Sequence, residues 1–202
     1  ELSARYENVV ALEIDHGLIP VLKYTLGDCR NVTVINEDVM KADLAAIIDE
    51  HFKGLKVAVC ANLPYYITSP VIMMLLESHL PIKSITVMVQ KEAGERLCAD
   101  VGSRDAGAVS VAVNYYSVAE ELFFVPRESF MPSPNVDSEV IKLSVRETPV
   151  ITPSDEKYFF SVVKAAFSQR RKTAANSISA GSGIPKDVVI KAIDECGFEP
   201  SV

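Results

Sequence analysis

From residue 9 to residue 100 the chain repeats one pattern: a short apolar, β-branched run, then a segment whose apolar residues recur at helical spacing. The runs are Val9–Ile14, Asn31–Ile35, Val57–Ala61 and Ile85–Val89. Between and after them, 18–26, 43–52, 69–78 and 91–100 read as helices; Leu44, Ile47, Ile48 and His51 share one face of the second. Such alternation constrains the fold strongly. Near-continuous apolar strands are covered on both faces, and helical crossovers supply that cover, so a parallel, doubly wound α/β sheet is predicted. Ser69-Pro70 reads as a helix start, a capping hydroxyl followed by proline at the first position.

After residue 100 the pattern changes. Residues 106–116 look helical, and 117–125 and 136–145 look like strands joined by the proline-rich stretch Pro126–Pro134. Two strands with a loop too short for a crossover helix form an antiparallel pair, here at one edge of the sheet. The sheet is therefore predicted to be mostly parallel with an antiparallel edge pair. Thr148-Pro149-Val150-Ile151-Thr152-Pro153 marks a boundary, giving units 1–147 and 148–202. In the second unit one long helix is predicted over 154–179, with Gly181-Ser182-Gly183 as its break and Pro185 opening another helix. Residues 1–8 read as the tail of a helix, and Phe198–Val202 as part of a linker, so a fragment of a longer protein is expected.

Composition excludes several classes. No apolar run approaches the roughly 18 residues of a membrane span, and no signal-peptide pattern opens the chain. Cys29, Cys60, Cys98 and Cys196 are scattered, and His16, His51 and His79 have no ligand spacing, so buried free thiols are expected rather than a disulfide framework or a metal site. A reduced, cytoplasmic protein fits this cysteine usage, and a monomer is expected. The net charge of −7 argues against a nucleic-acid surface over the whole molecule, but Lys164 and Arg170-Arg171-Lys172 form a local basic patch.

The residues that can carry chemistry cluster at strand ends. Glu13 ends the first strand and Asp38 the second; at such places carboxylates accept hydrogen bonds from a nucleotide-type cofactor. Each alone reads more simply as a solvated strand-end acid, and Asp15 as the cap of the next helix. Asn62-Leu63-Pro64-Tyr65-Tyr66 follows the third strand. Asn62 offers a carbonyl acceptor and an amide donor, Pro64 fixes φ so that neighbouring carbonyls can be held outward, and Tyr65 supplies a flat face. Together they can grip a planar base bearing an exocyclic amino group. Phe130, in the proline-rich loop, is either a core residue or a second aromatic wall for an extruded base. No Gly-x-Gly cofactor loop follows a strand; the fold reading places that loop after a strand preceding residue 1.

Taken together, Leu12-Glu13-Ile14-Asp15, Asn36-Glu37-Asp38, Asn62-Leu63-Pro64-Tyr65-Tyr66, Phe130–Ser138 and Phe167–Lys172 resemble, in order and over essentially the whole chain, the ribosomal RNA adenine dimethyltransferases, the small-subunit members most closely. The resemblance implies a Rossmann-like class I methyltransferase domain and a small helical domain, both incomplete here. It implies S-adenosylmethionine as methyl donor, and the small ribosomal subunit and its rRNA as partners. It implies dimethylation at N6 of two adjacent adenosines near the 3′ end of that rRNA. By motif, Glu13, Asp38 and Asn62 would hold the cofactor; Asn62, the carbonyl of Leu63 or Pro64, Tyr65 and Phe130 would hold the target adenine; Arg170, Arg171 and Lys172 would face RNA or pack between domains. The large-subunit relatives that confer macrolide resistance typically read Asn-Ile-Pro-Tyr where Leu63 stands here. A non-catalytic assembly factor binding pre-rRNA is the alternative from another class, and a small-molecule methyltransferase leaves the basic segment unexplained.

Overall fold

The computed structural model describes residues 1–169 and 171–199. Strands and helices alternate through the first part of the chain: β1 (Val9–Leu12), α1 (Ile19–Thr25), β2 (Val32–Ile35), α2 (Leu44–His51), β3 (Val57–Asn62), α3 (Thr68–Glu77), β4 (Ile82–Gln90) and α4 (Lys91–Cys98). Then come α5 (Ala108–Tyr116), β5 (Ser117–Val125), β6 (Ser138–Val145) and three helices, α6 (Glu156–Ala166), α7 (Ala174–Ser182) and α8 (Lys186–Glu195). This is the α/β order that the apolar runs predict. Strand β5 falls on the residues anticipated, 117–125.

The strands form two sheets rather than one. Strands β1 and β2 pair in parallel, Val9 opposite Val32 through Leu12 opposite Ile35. The larger sheet has the order β3-β4-β6-β5, parallel between β3 and β4 and antiparallel on both sides of β6. The antiparallel pair thus lies at one edge, as expected. The facing edges of β1 and β3 border a cavity of about 490 Å³, with Val9 and Val10 on one side and Ala58, Val59 and Cys60 on the other.

The core belongs to the larger sheet. Ile85, Val87 and Val89 of β4, Ile141 and Leu143 of β6, and Val71 and Ile72 of α3 are 2% exposed or less. Full burial of each such side chain is worth roughly 1.5–3 kcal/mol. Within residues 1–56 no side chain is fully buried; that segment is attached through Val39, Leu44, Ile48 and Phe52, which pack partly buried against the core. At the other end, Tyr116 stacks on Phe160 of α6 (centroids 5.5 Å, 20°), and the Tyr115 and Tyr116 hydroxyls donate to the carboxylate of Glu156 at 3.0 and 2.6 Å. Burial first, and then Glu156, push both phenols above their ordinary range.

Several local expectations are corrected. Strand β1 ends at Leu12, and Ile14 is 63% exposed. Asp15 does not cap α1: its Oδ1 accepts from the Gly17 N–H at 2.7 Å, and the cap position of α1 is Leu18. Ser69 does not cap α3 either. A 3-10 turn over Tyr65–Ile67 runs directly into α3 at Thr68, and Thr68 Oγ1 donates to the Pro64 carbonyl at 3.3 Å. The long helix over 154–179 is two helices. α6 ends at Ala166 and α7 starts after Thr173, whose Oγ1 accepts from Asn176 Nδ2 at 2.9 Å. A Cβ on Gly181 would come within 2.8 Å of Ala165 Cβ, so α7 folds back tightly on α6 and the chain must turn between them. Finally, the four cysteines are free, but Cys60 and Cys196 are exposed rather than buried.

Candidate active site

The Asn62–Tyr66 stretch leaves the carboxyl end of β3, where open α/β sheets place their ligand crevice. Asn62 is the last residue of β3, level with Met88 of β4, and its side chain is exposed with no protein hydrogen-bond partner among the described residues. Pro64 has φ −55° and ψ 134°, which throws the chain from strand into the 3-10 turn. The Pro64 carbonyl is then occupied, accepting from Ile67 N–H at 3.0 Å and from Thr68 Oγ1 at 3.3 Å. No such bond engages the Leu63 carbonyl among the described residues. Of the two carbonyl candidates, Leu63 has the available acceptor.

Tyr65 is fixed from below. Its hydroxyl lies 2.9 Å from Ser138 Oγ, and Ser138, the first residue of β6, is fully buried. The neighbouring Asp137 ties two further pieces to the same point: its carbonyl accepts from Lys91 N–H at the start of α4 (3.1 Å), and its Oδ1 accepts from Arg127 N–H (3.0 Å). Ser133 Oγ in turn donates to the Arg127 carbonyl at 2.9 Å. The loop carrying Phe130 is thereby anchored at the residue next to Tyr65's partner. Phe130 is half-buried, lies outside the main core cluster, and shares no ring pairing with Tyr65 among the described residues. Sequence reasoning named Tyr65 and Phe130 and quoted Asp137 and Ser138 within the Phe130–Ser138 motif, but gave those two no role. The signal was a carboxylate and a hydroxyl where β6 begins.

Under this node sits a buried acid. Glu139 of β6 is 8% exposed, and its Oε2 has no partner among the described residues. It fits because residue 94 of α4 is glycine; a Cβ there would come within 2.5 Å of Oε2. Burial, then the carboxylates of Glu121 and Glu95, push the Glu139 carboxyl upward, Lys91 opposing. Burial and the same acids Glu121 and Glu139 push the Cys98 thiol up to about 12, so it stays a thiol near neutrality.

Glu13 and Asp38 lie on the smaller sheet. Glu13 directly follows β1; its Oε1 accepts from Asp15 N–H at 2.8 Å, and its carbonyl accepts from Asn36 Nδ2. Asp38 stands in the turn after β2; its Oδ1 accepts from Met40 N–H at 3.0 Å, and Oδ2 lies 3.8 Å from Lys41 Nζ. The two acids are thus brought together by strand pairing and by Asn36, each keeping one oxygen free of backbone donors. The structure does not join them by hydrogen bonds to the Asn62 loop among the described residues, because β1 and β3 belong to different sheets.

Arg171 and Lys172 are not on a helix. Arg171 and Lys172 are exposed in the turn between α6 and α7, and Lys172 N–H donates to the Gln169 carbonyl. Lys164 is exposed on α6. None of the three has a carboxylate partner among the described residues. Arg170 lies outside the described residues.

An α/β sheet carrying an Asn-Leu-Pro-Tyr turn at one strand end and carboxylates at two others defines a nucleotide-cofactor methyltransferase fold. Comparison with known proteins makes this specific. The family model described as ribosomal RNA adenine dimethylase matches residues 1–194, and the chain belongs to that family. It is 47% identical to proteins named "Ribosomal RNA small subunit methyltransferase A" from Bacillus mycoides (strain KBAB4) and Bacillus anthracis (strain CDC 684 / NRRL 3495), over 99% of this chain and 70% of each of theirs. Among solved structures, a dimethyladenosine transferase from Plasmodium falciparum is 28% identical, with TM-score 0.70, over 93% of this chain and 63% of that one. The 23S rRNA methyltransferase ErmE shares the fold at TM-score 0.73 and 24% identity, over the whole of this chain and 77% of that one.

Proposed function

We propose that this protein transfers methyl groups from S-adenosylmethionine to N6 of two adjacent adenosines near the 3′ end of small-subunit rRNA. The single observation that carries this reading is the exposed Asn62 amide beside the open Leu63 carbonyl, with Tyr65 braced on Ser138 at the same strand end. The relatives' name favours the small-subunit target over the large-subunit one. Residues 1–147 form the methyltransferase part on this reading, and 148–202 the helical part; no helix or strand lies between Val145 and Glu156.

The donor set fits the cofactor. The remaining oxygen of Glu13 suits ribose hydroxyls and that of Asp38 suits an adenine amino group, because carboxylates accept and do not donate. Bound S-adenosylmethionine would supply a methyl group on a sulfonium sulfur. The chain's own residues act on the other reactant. The N6 lone pair of adenine is delocalised into the ring, which makes the amino group a poor nucleophile. Asn62 Oδ1 and the Leu63 carbonyl accept its two N–H groups, favouring the pyramidal nitrogen as positive charge develops there. Tyr65, held by Ser138, fixes the ring plane, and Phe130 closes the other side. Orientation of this kind removes much of a bimolecular barrier. No base is needed before attack, since the methylated nitrogen becomes acidic and loses its proton afterwards. The exposed Arg171 and Lys172 suit phosphate contact better than packing between domains.

Asn62→Ala tests the assignment. Turnover on undermethylated small subunits should fall about 10²–10³-fold, the usual cost of one preorganised polar contact, with subunit affinity preserved. Unchanged turnover would remove Asn62 from the mechanism. Offering tritiated S-adenosylmethionine with both subunits, and mapping the label, tests the target itself; label in large-subunit RNA would overturn it.

A further inference from the structure

A second cavity, of about 520 Å³, lies at the opposite end of the larger sheet, where β4 begins and β6 ends. We propose that this cavity, rimmed by Lys56, His79, Lys83 and Arg146, is a phosphate-binding site that grips the backbone of the substrate RNA at a point remote from the target adenine. The inference rests on the RNA-methylating reading above and adds a contact outside that site. Lys56 immediately precedes β3 and Asn62 ends it, so the two sites stand about 20 Å apart, six residues at roughly 3.3 Å each. No single nucleotide spans that distance; the contact is to another part of a folded RNA.

Charge supports this assignment. In a chain of net charge −7 with histidine counted neutral, the rim gathers three cations, Lys56, Lys83 and Arg146, beside His79 and one carboxylate of its own, Glu147. Lys56, Lys83 and Arg146 have no carboxylate within 4.0 Å among the described residues. Glu156 is a second carboxylate near the rim: it lies 3.6 Å from His79 Nε2 and accepts from Tyr115 and Tyr116, but it does not come within 4.0 Å of Lys56, Lys83 or Arg146. Unpaired cations above the apolar floor of Leu75 and Leu76 keep their field, since a low-dielectric wall focuses it outward.

Preorganisation supports it independently. Arg146 is clamped: its Nε donates to the carbonyls of Asn114 and Ser117, both at 3.2 Å, and its backbone N–H donates to the Tyr116 carbonyl. This holds the guanidinium through one nitrogen and leaves the two terminal ones, the fork that matches a phosphate. His79 is the one non-glycine residue of positive φ among those described, at 51°, in the turn that brings α3 into β4. A backbone of this kind persists where the surroundings hold it, commonly at binding sites.

Three cations of one sign favour phosphate as the group bound. Tyr116 is 5% exposed and offers no face for a base; the His79 ring, edge-on to Tyr116, is the exposed ring of the lining. The site therefore recognises charge first.

The test uses the intact protein and undermethylated small subunits. Binding is measured from low to moderate salt for the wild type, for K56Q/K83Q, and for K23Q, an exposed lysine that lines neither cavity. The double variant should bind about tenfold more weakly, and the slope of log K against log salt should shrink by about 0.7–0.9 for each phosphate no longer neutralised. Its melting temperature and S-adenosylmethionine affinity should match wild type, and K23Q should change neither affinity nor slope. Unchanged affinity and slope in K56Q/K83Q would overturn the proposal while leaving the methyltransferase reading intact. If 5′-AMP or inorganic phosphate bound in a manner dependent on Lys56 and Lys83 while the RNA slope stayed the same, the occupant would be a free phosphate and the RNA assignment would fall. Absence of small-subunit binding by the wild type would bring down both readings together.

Discussion

The two sheets bring their functional residues to strand ends in different ways. On the β3–β6 sheet, Asn62 and Tyr65 stand on a core of fully buried β-branched and leucine side chains, and Tyr65 is tied to a buried serine. On the β1–β2 sheet, Glu13 and Asp38 stand on two four-residue strands with no fully buried side chain, and their carboxylates are held by local backbone donors. The first arrangement is set by tertiary packing, the second by the chain's own turns. The difference shows which half fixes geometry: the side proposed to hold the base is preformed, whereas the acids proposed to hold the cofactor depend on a lightly attached unit whose Ile14, Val21 and Tyr24 remain exposed.

This contrast can be broken by substitution. Leu143→Ala in the larger sheet should cost about 3 kcal/mol, because the residue is fully buried and its removal leaves a cavity. Val10→Ala, half-buried on β1, should cost about 1 kcal/mol or less. Urea unfolding of both variants checks the pair, and amide exchange should open β1 and β2 before β4 and β6. Equal costs would mean that the two sheets unfold as one cooperative unit of equal density. Ser138→Ala sharpens the comparison on the tied side. Loss of the Tyr65 hydroxyl bond is worth about 1 kcal/mol, so single-turnover methylation should slow roughly fivefold while subunit affinity holds.

The smallest effect concerns Glu139, and it has a definite sign. Its folded carboxyl is raised above the unfolded value, mainly by burial, so the folded state binds the proton more tightly. Stability from this group is therefore present below the ordinary carboxylate value and is lost as pH rises through the folded value. Glu139→Gln keeps the neutral shape and should remove that loss. Thermal melts across pH 4 to 9 should show the variant gaining on the wild type toward the alkaline end; parallel curves would place the charge elsewhere.

Much of this was legible in the sequence where periodicity and burial agree. Strand β5 and the alternation through β4 could be read because β-branched runs and helical spacing coincide with real elements. The Asn-Leu-Pro-Tyr turn could be read because its residue types have few other uses after a strand. What escaped depends on contacts distant in sequence. The split between α6 and α7 is enforced by Gly181 against Ala165, which periodicity cannot see, although Thr173 as a capping residue gave a local hint. The division into two sheets is also invisible to strand assignment, since pairing partners are not encoded in a run's own pattern. The bracing of Tyr65 by Ser138 links residues far apart in the chain, and only the fold brings them to 2.9 Å.

Gly94 and Glu139 share one parcel of space: what the helix position gives up, the strand position fills. Such a pair should vary together rather than separately. Alanine at position 94 would push the Glu139 carboxylate, the movable end of its side chain, out of its place, so Gly94→Ala should cost less stability beside alanine at 139 than beside glutamate. Among related sequences the two columns should therefore trade volume, large against small, making one interior void a record of paired replacement.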